Sequence, residues 1–232
     1  MYYAMSDIHG CYEEYIRALN TVHFSSRDSL FVLGDIVDRG PQPIRVLQDM
    51  MYRDNVYPIL GNHEFSMMTV VRRLGVEITD ASIATLTGED LESARLWLND
   101  GGMTSLKGFL ALSEDEREGL LEYLGEFALY EEAEAGGREY VLLHAGLDNF
   151  SPERDLDSYS VDEMIFHAPD YDRVYFPDRY LVSGHRPTLA EKTPGRVLEK
   201  NNHIAIDCGC VFGGRLAVYC LDTGKTVYID KI

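Results

Sequence analysis

Five short apolar runs, each ending directly in a polar motif that contains glycine, constrain the fold of this chain more than any other feature. The runs are rich in β-branched and aromatic residues and have the length of buried strands. They cover residues 2–5, 30–33, 56–60, 140–143 and 180–182, and the motifs that follow them read SDIHG, GDIVDRG, GNHE, HAG and SGH.

Apolar residues at helical spacing fill the gaps between the first runs, at 12–22, 43–52 and 65–74. Alternating strands and helices predict an α/β fold that places its ligands at the carboxyl ends of the strands. We therefore expect the five motifs to meet on one rim of the fold.

Residues 75–130 interrupt this alternation. An acidic, amphipathic stretch at 87–99 predicts one helix, and the capping-box pair of Ser113 and Glu116 predicts the start of another that ends near Gly125. We interpret this segment as a helical insertion, or cap, within a single domain that includes all 232 residues.

The C-terminal third of the chain shows further helix and strand signals. Ser160 with Glu163 repeats the capping-box pattern. Three apolar, β-rich stretches follow at 203–208, 215–221 and 226–229, and glycine-containing turns separate them. This spacing predicts an antiparallel meander that closes a second sheet.

The charge and the cysteine content limit the partners that this chain can have. A formal net charge of −18 argues against a nucleic-acid-binding surface, which needs clustered Lys and Arg. No stretch approaches the ~20 apolar residues of a membrane span, and the first residues do not read as a signal peptide. With four cysteines interpreted as reduced, packed thiols, these features predict a cytoplasmic protein with neither nucleic acid nor membrane as partner.

Residues at the ends of the first two runs have the chemistry of metal ligands. Asp7 and His9 lie two positions apart, so in extended backbone both side chains point to the same side and can reach one ion. Asp35 also follows a strand, and its carboxylate can join them or bridge two ions.

The later motifs supply ligands for a second ion, namely the amide oxygen of Asn62 and the imidazoles of His144 and His185. Mixed oxygen and nitrogen ligands suit manganese, iron or zinc better than calcium or magnesium. Two such ions, roughly 3.5–4 Å apart, would activate a bridging water for in-line attack on a phosphoryl group. Manganese is the metal that we expect, with iron or zinc as alternatives.

Three more residues have the chemistry of phosphate-ester hydrolysis. His63 can protonate the leaving group, and Asp38 can fix the tautomer of His63. The guanidinium of Arg39 can hold two phosphate oxygens. Each motif alone has a structural explanation as a turn, a salt-bridged loop or a core histidine, and we keep that explanation for His23 and His203.

The five motifs together resemble the phosphoprotein phosphatase branch of the calcineurin-like metallophosphoesterases. They span residues 6–186, and the closing segment DCGCVFGGRL is similar to the end of the compact bacterial members. The resemblance implies two mixed β-sheets packed as a sandwich and flanked by helices, in four αββα layers, with a dinuclear site on one rim. It implies that Asp35 is shared by both ions and that His63 and Asp38 form the general acid pair. It further implies that Asp7 and His9 bind one ion, and that Asn62, His144 and His185 bind the other.

The sequence departs from the family pattern at two places. Ser6 replaces the first glycine of the first motif. Many relatives carry an arginine near the position of residues 164–168, where this chain has none. Arg173 is the candidate for this second phosphate clamp; alternatively, Arg173 is a surface residue, and either Arg39 is the only clamp or His167 takes the position.

Three functions are compatible with these residues. The first is a serine/threonine protein phosphatase that hydrolyses phosphate monoesters, and the second is a hydrolase of diadenosine tetraphosphate or another nucleotide. The third, a non-catalytic binding module, is the weakest because every expected ligand is present. We expect residues 75–130 and 147–180 to determine the substrate, because the motifs build only the phosphate site.

Overall fold

The computed structural model describes residues 1–74 and 85–232, and within them two five-stranded mixed sheets are flanked by helices. The strands are β1 (Tyr2–Met5), β2 (Ser29–Leu33), β3 (Val56–Ile59), β4 (Tyr130–Ala135), β5 (Arg138–Leu143), β6 (Tyr180–Ser183), β7 (Leu198–Lys200), β8 (His203–Ala205), β9 (Arg215–Cys220) and β10 (Thr226–Asp230). The described helices are α1 (Tyr12–Thr21), α2 (Pro43–Met51), α3 (Asn62–Leu74), α4 (Gly88–Trp97), α5 (Met103–Leu110), α6 (Glu114–Gly125) and α7 (Val161–Ile165).

Parallel strands form the centre of each sheet. The first sheet has the order β10-β9-β1-β2-β3, in which β1, β2 and β3 are parallel. The second has the order β4-β5-β6-β8-β7, in which β5, β6 and β8 are parallel and both edge strands are antiparallel. The carboxyl ends of the parallel strands lie at the rim that carries the motifs. This architecture confirms the predicted two-sheet sandwich.

Alternation along β5 shows how the layers pack. Tyr140 and Leu142 face the other sheet, where they join Phe31 and Leu33 in the core between the sheets. Val141 and Leu143 point the opposite way and pack against the segment that contains α7. Fully burying each side chain of this size stabilises the fold by roughly 1.5–3 kcal/mol, so the two faces of one strand hold three layers together.

The three C-terminal stretches are divided between the two sheets. The predicted single antiparallel meander in a second sheet is therefore wrong, because only β8 lies in the second sheet, where it is parallel to β6. The other two stretches, β9 and β10, form a hairpin at the edge of the first sheet. Each stretch buries an apolar face, so hydrophobicity alone did not distinguish which sheet a strand would join.

Three helices, α4, α5 and α6, lie between residues 85 and 125 of the segment that the sequence analysis interpreted as an insertion, and its residues 75–84 lie outside the described residues. Ser113 and Glu116 form the predicted capping box at the start of α6, and α6 ends at Gly125. Between α4 and α5 the backbone makes a π-helical turn that is broken at Asp100 and Gly101. The acidic residues Glu131, Glu132 and Glu134 follow these helices and lie on β4, a half-exposed strand at the edge of the second sheet.

The sequence analysis also made predictions about membrane-spanning segments and about the cysteines. Each helix in residues 1–74 and 85–232 is too short or too polar to cross a bilayer. The four cysteines all fall in these ranges, where they are buried and form no disulfide.

Candidate metal centre

The carboxyl ends of five parallel strands bring the six predicted ligands to one rim. Asp7 and His9 follow β1, Asp35 follows β2, His144 follows β5 and His185 follows β6; Asn62 begins α3 after β3. We call this set the metal rim. Ligand-type atoms of His9, Asp35 and His63 lie within 4.8 Å of one another, as do those of Asp35, His144 and His185.

The backbone of the rim is left-handed at residues other than glycine. Asp7, His9, Asp35 and His185 have φ angles of 51°, 43°, 52° and 68°. Such angles cost about 1–3 kcal/mol each and persist only where the surrounding structure fixes them. Here the loops brace one another, because the His9 N–H donates to the Asp35 carbonyl at 2.8 Å and the Asp7 N–H donates to the Gly34 carbonyl at 3.1 Å.

The carboxylate of Asp35 lies between two groups of nitrogen ligands. Its Oδ2 is 3.6 Å from Nε2 of His9, and its Oδ1 is 3.4 Å from Nε2 of His144. Burial, only partly opposed by His63, raises the pKa of Asp35 to about 7. A buried carboxylate with one oxygen directed to each side is suited to bridging two cations, which would restore its charged form.

Backbone carbonyls fix the tautomers of two rim histidines. Nδ1 of His9 lies 2.8 Å from the Val37 carbonyl, and Nδ1 of His144 lies 2.8 Å from the Leu33 carbonyl. Because a carbonyl only accepts, both Nδ1 atoms carry the proton and both Nε2 lone pairs face the rim. Burial lowers the pKa of His9 and of His144 well below the ordinary value, so both imidazoles are neutral.

The second group of ligands is equally close. Nε2 of His144 lies 3.1 Å from Nδ1 of His185, and both nitrogens lie 3.0 Å from Oδ1 of Asn62. Burial lowers the pKa of His185 to about 4. An amide oxygen and a lone-pair nitrogen repel at this distance unless a cation lies between them. The donor set of carboxylates, neutral imidazoles and one amide therefore fits divalent transition metals.

His63 stands beside the rim in a fixed orientation. Its Nδ1 is 2.6 Å from Oδ2 of Asp38. Burial alone would lower the pKa of His63, but the carboxylates of Asp35 and Asp38 outweigh burial and raise it. This arrangement favours a protonated imidazole that can donate from Nε2.

Cap residues hold Asp38 in turn. Nε1 of Trp97 donates to Oδ2 of Asp38 at 2.8 Å, and Oγ of Ser105 donates to Oδ1 at 2.5 Å. The Asp38 N–H donates back to Oγ of Ser105 at 2.8 Å. The helical insertion thus supports the predicted acid pair directly, a connection that sequence spacing did not reveal.

Arg39 lies at the mouth of the site. Its Nη1 is 2.7 Å from Nε2 of His9, and its Nη2 donates to Oδ1 of Asp100 at 2.8 Å. The other oxygen of Asp100 lies 3.4 Å from Nε2 of His63. Gly101 makes this approach feasible, because its φ is +105° and a Cβ there would lie 2.6 Å from Cγ of Arg39.

Sequence reasoning assigned no role to Glu64, which organises the rim loops. Its buried carboxylate accepts hydrogen bonds of 2.7–3.0 Å from the backbone N–H groups of Asp35, Ile36, Val37 and Gly61. The signal was present in GNHE, since Glu64 follows His63 in the first turn of α3. Its role depends on the pairing of β2 with β3, which brings the loop after β2 next to the start of α3.

Asp207 is a second residue that sequence reasoning missed. It is buried in the closing DCGCVFGGRL segment, and burial raises its pKa to about 6. Burial, followed by the charges of Asp207 and Asp35, raises the pKa of Asp7 well above the ordinary value. Three buried carboxylates around one loop are a further indication that this rim is built for cations.

Arg173 and His167 each have a partner other than the six predicted ligands. Nε of Arg173 lies 4.0 Å from Oδ2 of Asp170, and its guanidinium lies 5.7 Å from the ring centre of Phe150. Nδ1 of His167 lies 3.5 Å from Oδ1 of Asp148. A clamp role for Arg173 stays a prediction, and it requires the guanidinium to leave these partners.

The family model of the calcineurin-like phosphoesterases matches residues 2–214, and the chain belongs to that family. A symmetrical bis(5'-nucleosyl)-tetraphosphatase from Acidovorax ebreus (strain TPSY) is 30% identical over 174 residues. This match includes 74% of the chain and 50% of the relative, so the chain spans about half the length of that protein. A protein of the same name from Neisseria gonorrhoeae (strain NCCP11945) is 26% identical over 273 residues, with 99% of the chain and 95% of the relative covered.

Solved structures agree on the fold. A crystal structure assigned provisionally as a diadenosine tetraphosphatase superposes with a TM-score of 0.70 at 20% identity, over 100% of this chain and 93% of that one. A serine/threonine phosphatase from Saccharomyces cerevisiae superposes with a TM-score of 0.58 at 14% identity, over 100% and 80%. At these identities the likeness shows the fold alone.

Proposed function

We propose that this chain is a metal-dependent hydrolase of dinucleoside polyphosphates such as diadenosine tetraphosphate. The observation that carries the hydrolytic chemistry is Asp35, which directs one oxygen to the neutral imidazole of His9 and the other to the neutral imidazole of His144. The names of the Acidovorax and Neisseria relatives support the choice of a nucleotide over the phosphoprotein substrate that the motifs first suggested.

Each residue has a defined role in this proposal. Asp7, His9 and Asp35 hold one divalent ion, and Asp35 with Asn62, His144 and His185 holds the other. When bound, such a pair of ions lowers the pKa of a water and binds phosphoryl oxygens. Arg39 holds the remaining phosphate oxygens, since its guanidinium lies at the mouth of the rim. His63, oriented by Asp38, delivers its Nε2 proton to the leaving oxygen.

A second candidate is the serine/threonine phosphatase, and the construction of the acid pair favours it. Asp38 receives hydrogen bonds from His63, Trp97 and Ser105. An alkoxide leaving group needs a well-placed proton, whereas a nucleoside diphosphate leaves with little help. A site with such an elaborate proton donor is therefore also suited to phosphate monoesters.

Hydrolysis by the manganese-loaded protein separates the two candidates. We expect kcat/KM to be higher for diadenosine tetraphosphate than for phosphoserine or phosphothreonine peptides, with ADP as the nucleotide product. The Asp35→Asn variant, purified in parallel, controls for contaminating hydrolases. A higher kcat/KM for the phosphopeptides would contradict the nucleotide proposal, and turnover of neither class would restore the binding-module alternative.

A further inference from the structure

A pocket of about 400 Å³ has His63 among its described lining residues. Its described walls come from the start of α3, the end of α4 with the broken turn that follows, and Phe166 after α7. The residues used below are Phe65, Leu96, Trp97, Asp100 and Phe166, and we call this cavity the leaving-group pocket.

Large apolar side chains dominate its walls. The rings of Phe65 and Phe166 meet edge to face, with their centres 6.1 Å apart. Phe166 remains 46% exposed and Leu96 55% exposed, although both line a cavity. Apolar side chains that surround a cavity and stay open to water are typical of ligand-binding sites.

The charge of the pocket excludes a phosphate group. Apart from His63, the only ionisable side chain among its described lining residues is Asp100, and these residues include no Lys or Arg. The carboxylate of Asp100 already lies 2.8 Å from Nη2 of Arg39 and 3.4 Å from Nε2 of His63, so the described lining residues leave no unpaired cation to receive a phosphate. The occupant that fits is therefore an uncharged part of the substrate.

The position of His63 indicates which part this is. His63 lines the pocket, and its Nε2 lies 3.4 Å from Oδ2 of Asp100 at the same wall. In the proposed reaction, His63 protonates the group that leaves, so that group departs on the pocket side. The uncharged end of a nucleotide leaving group is its nucleoside.

We propose that the leaving-group pocket binds a nucleobase of the substrate, stacked against Phe166 and Leu96. This inference rests on the proposed function and extends it to the residues that recognise the leaving half. Aromatic faces stack on any base, and the hydroxyls of Ser66, Thr69 and Ser93 together with Asp100 offer partners for its polar edge.

The pocket suits a base better than a peptide. Its walls from α3 and α4 present side chains, because the backbone groups of a helix are already paired within it. The described lining residues therefore offer no strand edge along which an extended peptide could pair. A compact planar ring needs only the faces and hydroxyls that these walls supply.

Trp97 provides a direct test, because it is the only tryptophan of the chain and lines the pocket. Adenosine, which carries no phosphate, should change the fluorescence of Trp97 in the metal-loaded protein in a saturable manner. Phe166→Ala should weaken adenosine binding by roughly 5- to 150-fold, the range expected for loss of one stacking partner. Leu96→Ala should weaken it by a smaller factor.

Leu91→Ala is the matched control for Leu96→Ala. Both leucines lie on α4 and are 56% and 55% exposed, but Leu91 is not among the described lining residues. We expect Leu91→Ala to bind adenosine as the wild type does. Equal binding by all three variants and the wild type, or no fluorescence change with adenosine at all, would overturn the nucleobase assignment.

Kinetics separate failure of this inference from failure of the proposed function. Phe166→Ala should raise KM for diadenosine tetraphosphate and leave KM for inorganic tripolyphosphate unchanged, with the metal content of the wild type. If the wild type hydrolyses diadenosine tetraphosphate and Phe166→Ala does so with the same KM, the pocket assignment is wrong and the function stands. If the wild type hydrolyses only phosphopeptides, and Phe166→Ala impairs that reaction, both are wrong.

Discussion

The metal rim and the leaving-group pocket meet at Asn62 and His63, yet most of their other residues come from different kinds of sequence. Rim ligands such as Asp7, Asp35 and His144 are almost fully buried and directly follow parallel strands. Pocket residues such as Leu96 and Phe166 are half exposed and come from segments that carry no motif. The rim is held by backbone bonds between its loops, whereas the pocket is held by side-chain packing between helices.

This difference indicates that the rim residues would serve the reaction itself, whereas the pocket residues would select the substrate. A change of one residue in the rim disturbs a strained loop that several hydrogen bonds fix in place. A change at Leu96 or Phe166 alters a wall that water already reaches. We therefore expect rim variants to lose the reaction with every substrate, and pocket variants to lose it selectively.

The largest effect is expected for Asp35→Asn. This variant removes the charge that lies between His9 and His144, so the affinity of both metal positions should fall. Turnover should drop by at least ~10³-fold with every phosphate ester, because bound metals supply several kcal/mol of transition-state stabilisation. Elemental analysis of the purified variant, beside a melting curve to show that it is folded, measures the outcome. Full metal content would contradict the bridging role.

His63→Asn should have the next largest effect and should separate proton donation from metal binding. We expect metal content to remain and turnover to fall by roughly 10²–10⁴-fold, the usual contribution of a general acid. The loss should be greater for alkyl than for aryl phosphates, because aryl leaving groups need less protonation. Since ligand-type atoms of His63 lie within 4.8 Å of those of His9 and Asp35, loss of one equivalent of metal would show that His63 is a ligand instead.

Trp97→Phe tests the place where the two regions touch. The substitution keeps an aromatic ring in the pocket wall and removes the 2.8 Å hydrogen bond to Asp38. We expect turnover to fall by roughly 10-fold, the lower end for loss of a supporting hydrogen bond, while metal content and adenosine affinity change little. The adenosine affinity of Trp97→Phe is measured by calorimetry, because this variant lacks the tryptophan whose fluorescence reports binding. A large drop in affinity with unchanged turnover would assign Trp97 to the pocket alone.

The sequence predicted the rim better than its surroundings, for reasons that particular residues illustrate. Asp7, His9 and Asp35 were identified because each lies in a contiguous motif at the end of an apolar run. Glu64 lies in such a motif too, but three of its four backbone partners, at residues 35–37, belong to a loop distant in sequence. Sequence spacing does not show contacts of this kind.

The cap and the sheet assignment show the same limit. Capping boxes predicted where helices begin, because a cap depends on residues three positions apart. The contact of Trp97 with Asp38 spans 59 residues, and no local pattern encodes it. Likewise, the strands β8 and β9 have the same apolar character, although they join different sheets.

Arg173→Ala should have the smallest effect. The sequence prediction makes Arg173 a second phosphate clamp, whereas in the structure its guanidinium lies near Asp170, Phe150 and Tyr175. Exposed ion pairs of this kind contribute little to stability, so we expect the melting temperature to stay close to that of the wild type. If these local contacts are the only role of Arg173, KM for phosphate esters and inhibition by inorganic phosphate should change less than roughly twofold. A tenfold change would correspond to a loss of about 1.4 kcal/mol of binding free energy. A clear rise in KM at unchanged metal content would establish the clamp and would show that the loop around Arg173 closes over the rim when substrate binds. Arg179→Ala is the control, because Arg179 is paired with Glu132 at the start of β6, the end opposite the rim.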